Sequence, residues 1–229
     1  PNQVLANDNS NHAKFYRGHE WMSFAPKQLL GCCVGNVNRF MPNFVYHSWM
    51  HGQGKLSALC YCPSTVTAQL DGKSVRIHEV TNYPFENTVR FQVESDSPAA
   101  FTLVLRKPNW AVEAQLTVNG EAVAAEFSAG TYELSRTFQN GDEVVLTFTD
   151  RITFHENAGG ISVRKGALLY ALPVKEHYVH EGLRETNNAE FPCYSLYPDS
   201  KWNYGIRPDT QAVFTCNAPA GIQPWRGEE

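Results

Sequence analysis

Cysteine and methionine are scarce, at 6 and 3 residues in a chain of 229. Six thiols spread over that length fall far below the density of a small disulfide scaffold, and a core of this size needs no covalent staple. Pairing of Cys193 with Cys216 stays open, because sequence does not give the Cα separation a bridge requires. Positive charge is not in excess either: 19 Lys and Arg stand against 23 Asp and Glu, a formal net charge of −4. No basic run or basic-aromatic stripe follows a phosphate backbone, so nucleic acid is not expected as a partner. No segment approaches the roughly 20 consecutive apolar residues that span a bilayer, so no membrane partner is expected. The first residues, Pro1 to Asp8, lack the basic and apolar regions of a signal peptide. The chain starts without methionine and in mid-pattern, so a missing upstream portion of the same protein is expected, and the compartment stays open between cytoplasm, periplasm and exterior. Also lacking are a Gly-x-Ser-x-Gly elbow, a phosphate loop, a dinucleotide fingerprint and a His-Glu-x-x-His pair, which removes the chemistries those motifs carry.

What is present is apolar material, 42% of the residues against 18% charged, enough for one large or two small cores. Residues 1–35 are polar and turn-rich, with Asn7 to His12 followed by Arg17-Gly18-His19-Glu20-Trp21. Over Asn36–Met50 the residues Val37, Phe40, Met41, Phe44, Val45 and Trp49 recur at steps of three and four, which predicts a helix with one apolar face. Pro42 removes an internal hydrogen bond, so the helix starts later or is kinked. A single helix of this size must bury its stripe against something, and left uncovered it predicts self-association or a changed local fold.

After Gly52-Gln53-Gly54 the period changes to two. Strands are predicted at Leu56–Cys62, Val66–Leu70, Ser74–Val80, Thr88–Glu94, Phe101–Arg106, Ala114–Val118, Thr131–Arg136 and Glu143–Phe148. Asp71-Gly72, Asn119-Gly120 and Asn140-Gly141-Asp142 supply the left-handed backbone that tight hairpins need. Short strands at this spacing predict a mainly β chain built as an antiparallel β-sandwich. Further strands are expected at Ile161–Lys165, Ala167–Leu172, Tyr194–Tyr197 and Gln211–Thr215, with a long loop over His177–Pro192. A boundary falls near Asp150; residues 151–229 form either a second β-rich subdomain or an extension of the sandwich at 54–150.

Few residues suggest chemistry. Gly31-Cys32-Cys33-Val34-Gly35-Asn36 lies immediately before the helix, where unpaired N–H groups and the positive end of the dipole favour a thiolate, the nucleophilic and metal-binding form of cysteine. The plainer reading is that two small apolar residues pack the helix entrance. Cys60 and Cys62 alternate on one strand face, where packing beneath the sheet suits them better than a four-cysteine zinc site with Cys32 and Cys33, since zinc knuckles favour Cys-x-x-Cys spacing. His19, Glu20 and Trp21 could line a sugar pocket or be loop residues. Glu79, Glu86, Glu156 and Glu181 fall on strand edges or loops, where carboxylates are normally solvated. Trp110, Trp202, Tyr204 and Trp225 are either a stacking platform or packing aromatics.

Read together, several segments resemble one family. Gly31-Cys32-Cys33-x-Gly35-Asn36-x-x-Arg39 is followed by Thr81-Asn82-Tyr83-Pro84-Phe85, by Phe101 to Arg106 with Lys-Pro-Asn-Trp110-Ala, and by Leu116-Thr-Val-Asn119-Gly120-Glu121. Arg164-Lys-Gly166-Ala-Leu-Leu-Tyr170-Ala and Trp202-Asn203-Tyr204-Gly205 extend the series over nearly the whole chain. The order resembles the carboxyl-terminal part of glycoside hydrolase family 127, the β-L-arabinofuranosidase family.

The resemblance implies an (α/α)₆ barrel followed by β-sandwich domains, with residues 1–53 as the end of the barrel, carrying the cysteine pair on a helical remnant. It implies that Cys32 is a nucleophile and zinc ligand and Cys33 a zinc ligand. A glutamate and another cysteine from the upstream barrel would complete the zinc site. It further implies a retaining reaction through a thioglycosyl intermediate on an oligosaccharide or glycoside substrate, with His19 and Trp21 as candidate substrate contacts. No residue of this chain matches the family's general acid and base, a barrel glutamate, so the chain alone is expected to be inactive and to hold zinc weakly or not at all. Family members carry prolines after the cysteine pair where this chain has Val34-Gly35, which implies a different pocket shape and leaves open whether the sugar is arabinofuranose or another unusual plant-polysaccharide sugar.

Overall fold

The computed structural model describes residues 32–157, 160–180, 194–201, 204–207 and 211–215. The described residues divide into two compact units, one holding those within 42–170 and 211–215, the other those within 32–41 and 171–207.

The larger unit is mainly β. One sheet has four strands in the order β1 (Trp49–Gly52), β2 (Lys55–Ala58), β6 (Ala99–Arg106) and β9 (Thr131–Phe138). The other has six, in the order β3 (Ser64–Leu70), β4 (Lys73–Thr81), β5 (Thr88–Ser95), β10 (Glu143–Thr149), β7 (Glu113–Val118) and β8 (Glu121–Val123). All neighbours are antiparallel except β2 and β6, which run parallel with Leu56 opposite Leu103. The expected antiparallel sandwich therefore holds apart from that one pair.

The reason these segments sit where they do is alternation. Along β5 the side chains of Val89, Phe91, Val93 and Ser95 are buried and those between them are not, and β6 buries Ala99, Phe101, Leu103 and Leu105 in the same way. These inward rows join Leu56, Val75, Ile77, Leu116, Leu134, Phe138, Val144 and Leu146 in one core drawn from both sheets. Phe101 and Phe138 stack at its centre with ring centroids 4.2 Å apart. At roughly 25 cal/mol per Å² of apolar area, this burial is the dominant stabilising term.

Turn chemistry fixes the register. Asp71 and Gly72 have φ of 53° and 70°, the left-handed pair that a two-residue hairpin between β3 and β4 needs, and Leu70 accordingly pairs with Lys73. Asn119 and Gly120 do the same between β7 and β8.

After Asp150 come three short antiparallel strands, β11 (Ile152–Asn157), β12 (Gly160–Lys165) and β13 (Leu168–Tyr170). In the smaller unit β14 (Glu176–His180) pairs with β15 (Tyr194–Pro198) as an antiparallel ladder.

Several expectations are corrected. Helix α1 runs Cys32–Tyr46, earlier than Asn36–Met50, and Pro42 is inside it. Trp49 is not on the helix at all but opens β1, with Nε1 donating to Ser64 Oγ at 2.9 Å. The helix ends where His47 Nδ1 and Ser48 Oγ hydrogen-bond the carbonyl oxygens of Asn43 and Val45, at 2.7 Å each. Phe40, Met41 and Val45 of the predicted stripe are exposed, and so is Tyr46, which is outside it. The strand expected over Leu56–Cys62 stops at Ala58, leaving Cys60 and Cys62 half-buried in the connection to β3. Residues 177–180, expected to be loop, lie in β14, because cross-strand pairing with β15 satisfies their backbone groups. Gln211–Thr215 is not a strand. The strands β1, β8 and β11 were not expected; β1 and β8, of four and three residues, are too brief for alternation to mark them.

Candidate functional site

Three places in the described residues concentrate polar chemistry. The first is the start of α1. Its first two residues are Cys32 and Cys33, so the pair belongs to the opening turn and does not precede it. The backbone N–H groups of that turn have no intrahelical acceptor, and no acidic residue lies in it to take up the positive end of the dipole. The side chains of Cys32 and Cys33 lie outside the described structure, as do all of His19, Glu20, Trp21 and Glu181. Among the described residues no group of three or more His, Cys, Asp or Glu side chains is placed to hold a metal.

The second place is a buried carboxylate that the sequence reading left in solvent. Glu79 is 2% exposed on β4. Its Oε2 accepts a hydrogen bond from Ser64 Oγ at 2.9 Å, and its Oε1 accepts from the backbone N–H of Cys62 at 3.2 Å. Burial disfavours the charge more than these two bonds favour it, and raises the Glu79 pKa from 4.5 to about 7. Nearby, burial and then the Glu79 and Cys60 charges push the Cys62 thiol up, away from the thiolate form that binds metal. The signal for Glu79 was present in the sequence: it shares the parity of Val75 and Ile77, whose side chains are both fully buried on the same strand. Glu86 and Glu156 are exposed, and Glu86 accepts from Asn82 Nδ2 at 3.0 Å.

The third place is a cleft of about 850 Å³ in the larger unit. One wall is the segment Arg106–Trp110 with the turn Ala129–Thr131; the other is one face of the small sheet β11–β13. Thr153, Arg164 and Leu169 form a cross-strand row on that face, and Arg151 and His155 are in phase with Thr153. Trp110 is half-buried: it packs edge-on against Phe148 with centroids 5.5 Å apart, and stacks with Tyr83 at 6.3 Å and 18° between planes. It therefore serves as packing and as cleft lining at once. Lys107 Nζ donates to the carbonyl oxygens of Ala111 and Val112, both at 3.2 Å, which pins the wall. Gly166 has a left-handed φ of 57°, and a Cβ there would stand 3.5 Å from the Trp110 ring and 3.4 Å from Asp150 Oδ2.

Asp150 anchors the floor between the sandwich and the small sheet. Its Oδ2 accepts from Lys165 Nζ at 2.7 Å and from Asn87 Nδ2 at 2.6 Å. Burial opposes its charge, but the Lys165 and Asn87 bonds together outweigh that and hold the carboxyl below its ordinary range.

Comparison with known proteins agrees with this architecture. Residues 55–149 match the family model described as β-L-arabinofuranosidase, GH127 middle domain. Among solved structures, a GH127 β-L-arabinofuranosidase from Geobacillus stearothermophilus T6 superposes with a TM-score of 0.58 at 24% identity, covering 73% of this chain and 34% of that one. A structure described as a GH127 β-arabinofuranosidase gives 0.57 at 17% identity over 76% of this chain and 37% of that one. A third, described as a glycoside hydrolase, gives 0.55 at 20% identity over 77% and 40%. The chain thus spans between about a third and two fifths of the length of these proteins, whose likeness to it is one of fold. No curated protein matches the sequence.

Proposed function

We propose, from the premise that residues 55–149 are the middle domain of a family 127 glycoside hydrolase, that this chain is part of a retaining glycosidase. Its substrates would be β-L-arabinofuranosides or glycosides of a related unusual plant-polysaccharide sugar. Residues 1–53 would be the end of an (α/α)₆ catalytic barrel, 54–150 the sandwich, and 151–229 a second β-rich subdomain or its extension. The observation that carries the reading is a Cys-Cys pair opening a helix directly ahead of that middle domain.

Cys32 would act as nucleophile. The unpaired N–H groups of the first helical turn lower the energy of its thiolate. Its sulfur attacks the anomeric carbon, and the glycosidic oxygen departs with a proton from a carboxylic acid. Water, giving that carboxylate a proton, then attacks the anomeric carbon from the opposite side, and the sulfur leaves as thiolate. Two inversions give net retention. Cys32 and Cys33 offer two sulfur donors suited to zinc, and the remaining ligands, like the acid, would come from the barrel portion outside this chain. Zinc, when bound, supplies positive charge that stabilises the thiolate form. His19 and Trp21 would contact the sugar. Lacking the barrel groups, the 229-residue chain by itself would be inactive, because groups that act as a unit fail together.

The test compares the complete gene product with its Cys32→Ser variant for zinc content and for hydrolysis of an aryl β-L-arabinofuranoside. Turnover with bound zinc, abolished by Cys32→Ser, supports the reading. Zinc without turnover moves the substrate to another sugar. Absence of both overturns the hydrolase reading in favour of a carbohydrate-binding or structural sandwich.

A further inference from the structure

We propose that the cleft beside Trp110 is a binding site for an anionic glycan, one whose sugar rings carry carboxylate or sulfate groups. Anion binding stands on the charge and geometry below; that a glycan carries the anion rests on the hydrolase reading above.

The arginines decide the charge. Among the described residues, Arg76, Arg90 and Arg136 each face a carboxylate, those of Glu94, Glu143 and Asp142, and Arg39 and Arg207 also have partners. The guanidinium groups of Arg106, Arg151 and Arg164 have none among the described residues, and all three line this one cleft. Among the described residues no acidic side chain lines it, although the chain as a whole carries a formal charge of −4. Asp150 stands directly behind Gly166, but Lys165 and Asn87 already occupy its Oδ2. Arg151 immediately precedes β11, two residues from Thr153, the cross-strand partner of Arg164, so the two arginines are diagonal neighbours. Like charges so placed repel one another, and a bound anion removes the repulsion.

The shape and the second chemistry narrow the ligand. A guanidinium presents a planar fork of donors that matches a carboxylate or sulfate two oxygens at a time. Trp110 and Tyr83 add aromatic surface to the same cleft, which suits the apolar face of a sugar ring. At about 850 Å³ the cleft lies in the range of ordinary ligand sites. A nucleic acid would call for a basic surface extending along its backbone, which the composition lacks.

Calorimetric titration of the complete gene product with four probes tests this: an oligogalacturonate, a sulfated oligosaccharide, a neutral arabino-oligosaccharide of equal length, and a single-stranded oligonucleotide. The expected result is binding of one or both anionic saccharides, weakening several-fold from about 50 to about 300 mM NaCl. Arg151→Ala with Arg164→Ala should lower that affinity at least about tenfold with an unchanged far-ultraviolet spectrum and melting temperature. The ratio of the two anionic saccharides identifies carboxylate or sulfate. Equal binding of the neutral saccharide, preference for the oligonucleotide, or no binding by the folded protein overturns the proposal. Binding unaffected by Cys32→Ser, and aryl-glycoside hydrolysis unaffected by the arginine pair, separate failure here from failure of the hydrolase reading.

Discussion

Ser64 Oγ donates to Glu79 Oε2 across 2.9 Å while itself accepting from Trp49 Nε1 at the same distance. A carboxyl is thereby held inside the sandwich by one hydroxyl and one backbone amide, with no cation paired to it among the described residues. Because burial lifts its pKa from 4.5 to about 7, the folded protein binds more protons than the unfolded chain across that interval. Stability contributed by this group is complete below about pH 4.5 and declines as pH rises through 7, by roughly 3 kcal/mol in all. Glu79→Gln should flatten the fall: urea unfolding at pH 5, 6, 7 and 8 should show the wild type losing stability with pH and the variant losing much less. Parallel curves for the two proteins would refute the assignment.

Tyr61, in the connection between β2 and β3, is tied to the end of β6 through one atom. Its hydroxyl donates to Arg106 O at 2.6 Å and accepts from Arg106 N at 2.7 Å. Burial pushes its pKa well above the ordinary tyrosine value, more strongly than the Arg106 backbone bond lowers it. Tyr61→Phe strands both backbone groups and should cost about 1–3 kcal/mol. In alkaline difference spectra of the wild type, one tyrosine should ionise only as the protein unfolds, and this step should vanish in the variant.

The Asp150–Lys165 pair ties the end of β10 to β12, with side-chain exposures of only 14% and 25%. Asp150→Asn should cost about 1–3 kcal/mol at neutral pH. The wild-type carboxyl is held below 3.8, so its contribution is present above that value and is lost as pH falls through the lowered one. The difference in unfolding free energy between wild type and variant should therefore shrink in strong acid; a difference that grows there would contradict the pairing.

Phe138 is fully buried against Phe101. Phe138→Ala leaves a cavity between the sheets and should cost about 3–5 kcal/mol. A melting temperature lowered by roughly 10 °C or more checks this, whereas a change under a few degrees would place the ring outside the cooperative core.

How much of this was legible in the sequence depends on the range of the forces involved. Strand faces follow from a period of two and hairpins from left-handed residues such as Asn119-Gly120, both local properties, and these expectations match β3 through β7, β9 and β10 closely. The parity of Glu79 with Ile77 was equally local, yet a bias toward solvated carboxylates masked it. The β14 ladder was illegible for a different reason: its side chains are all exposed, so no alternation marks it.

By itself the sequence determined a β-rich chain, the side of each long strand that faces inward, the tight turns, and a cysteine pair at a helix start. Tertiary structure alone decided that Trp49 reaches Ser64 and through it Glu79, that Arg106 meets Arg151 and Arg164 around one cleft, and that Lys165 occupies Asp150. Backbone geometry sets which way a side chain points within a few residues. What it meets there depends on strands tens of residues away, and so does whether a charge ends solvated, paired or buried.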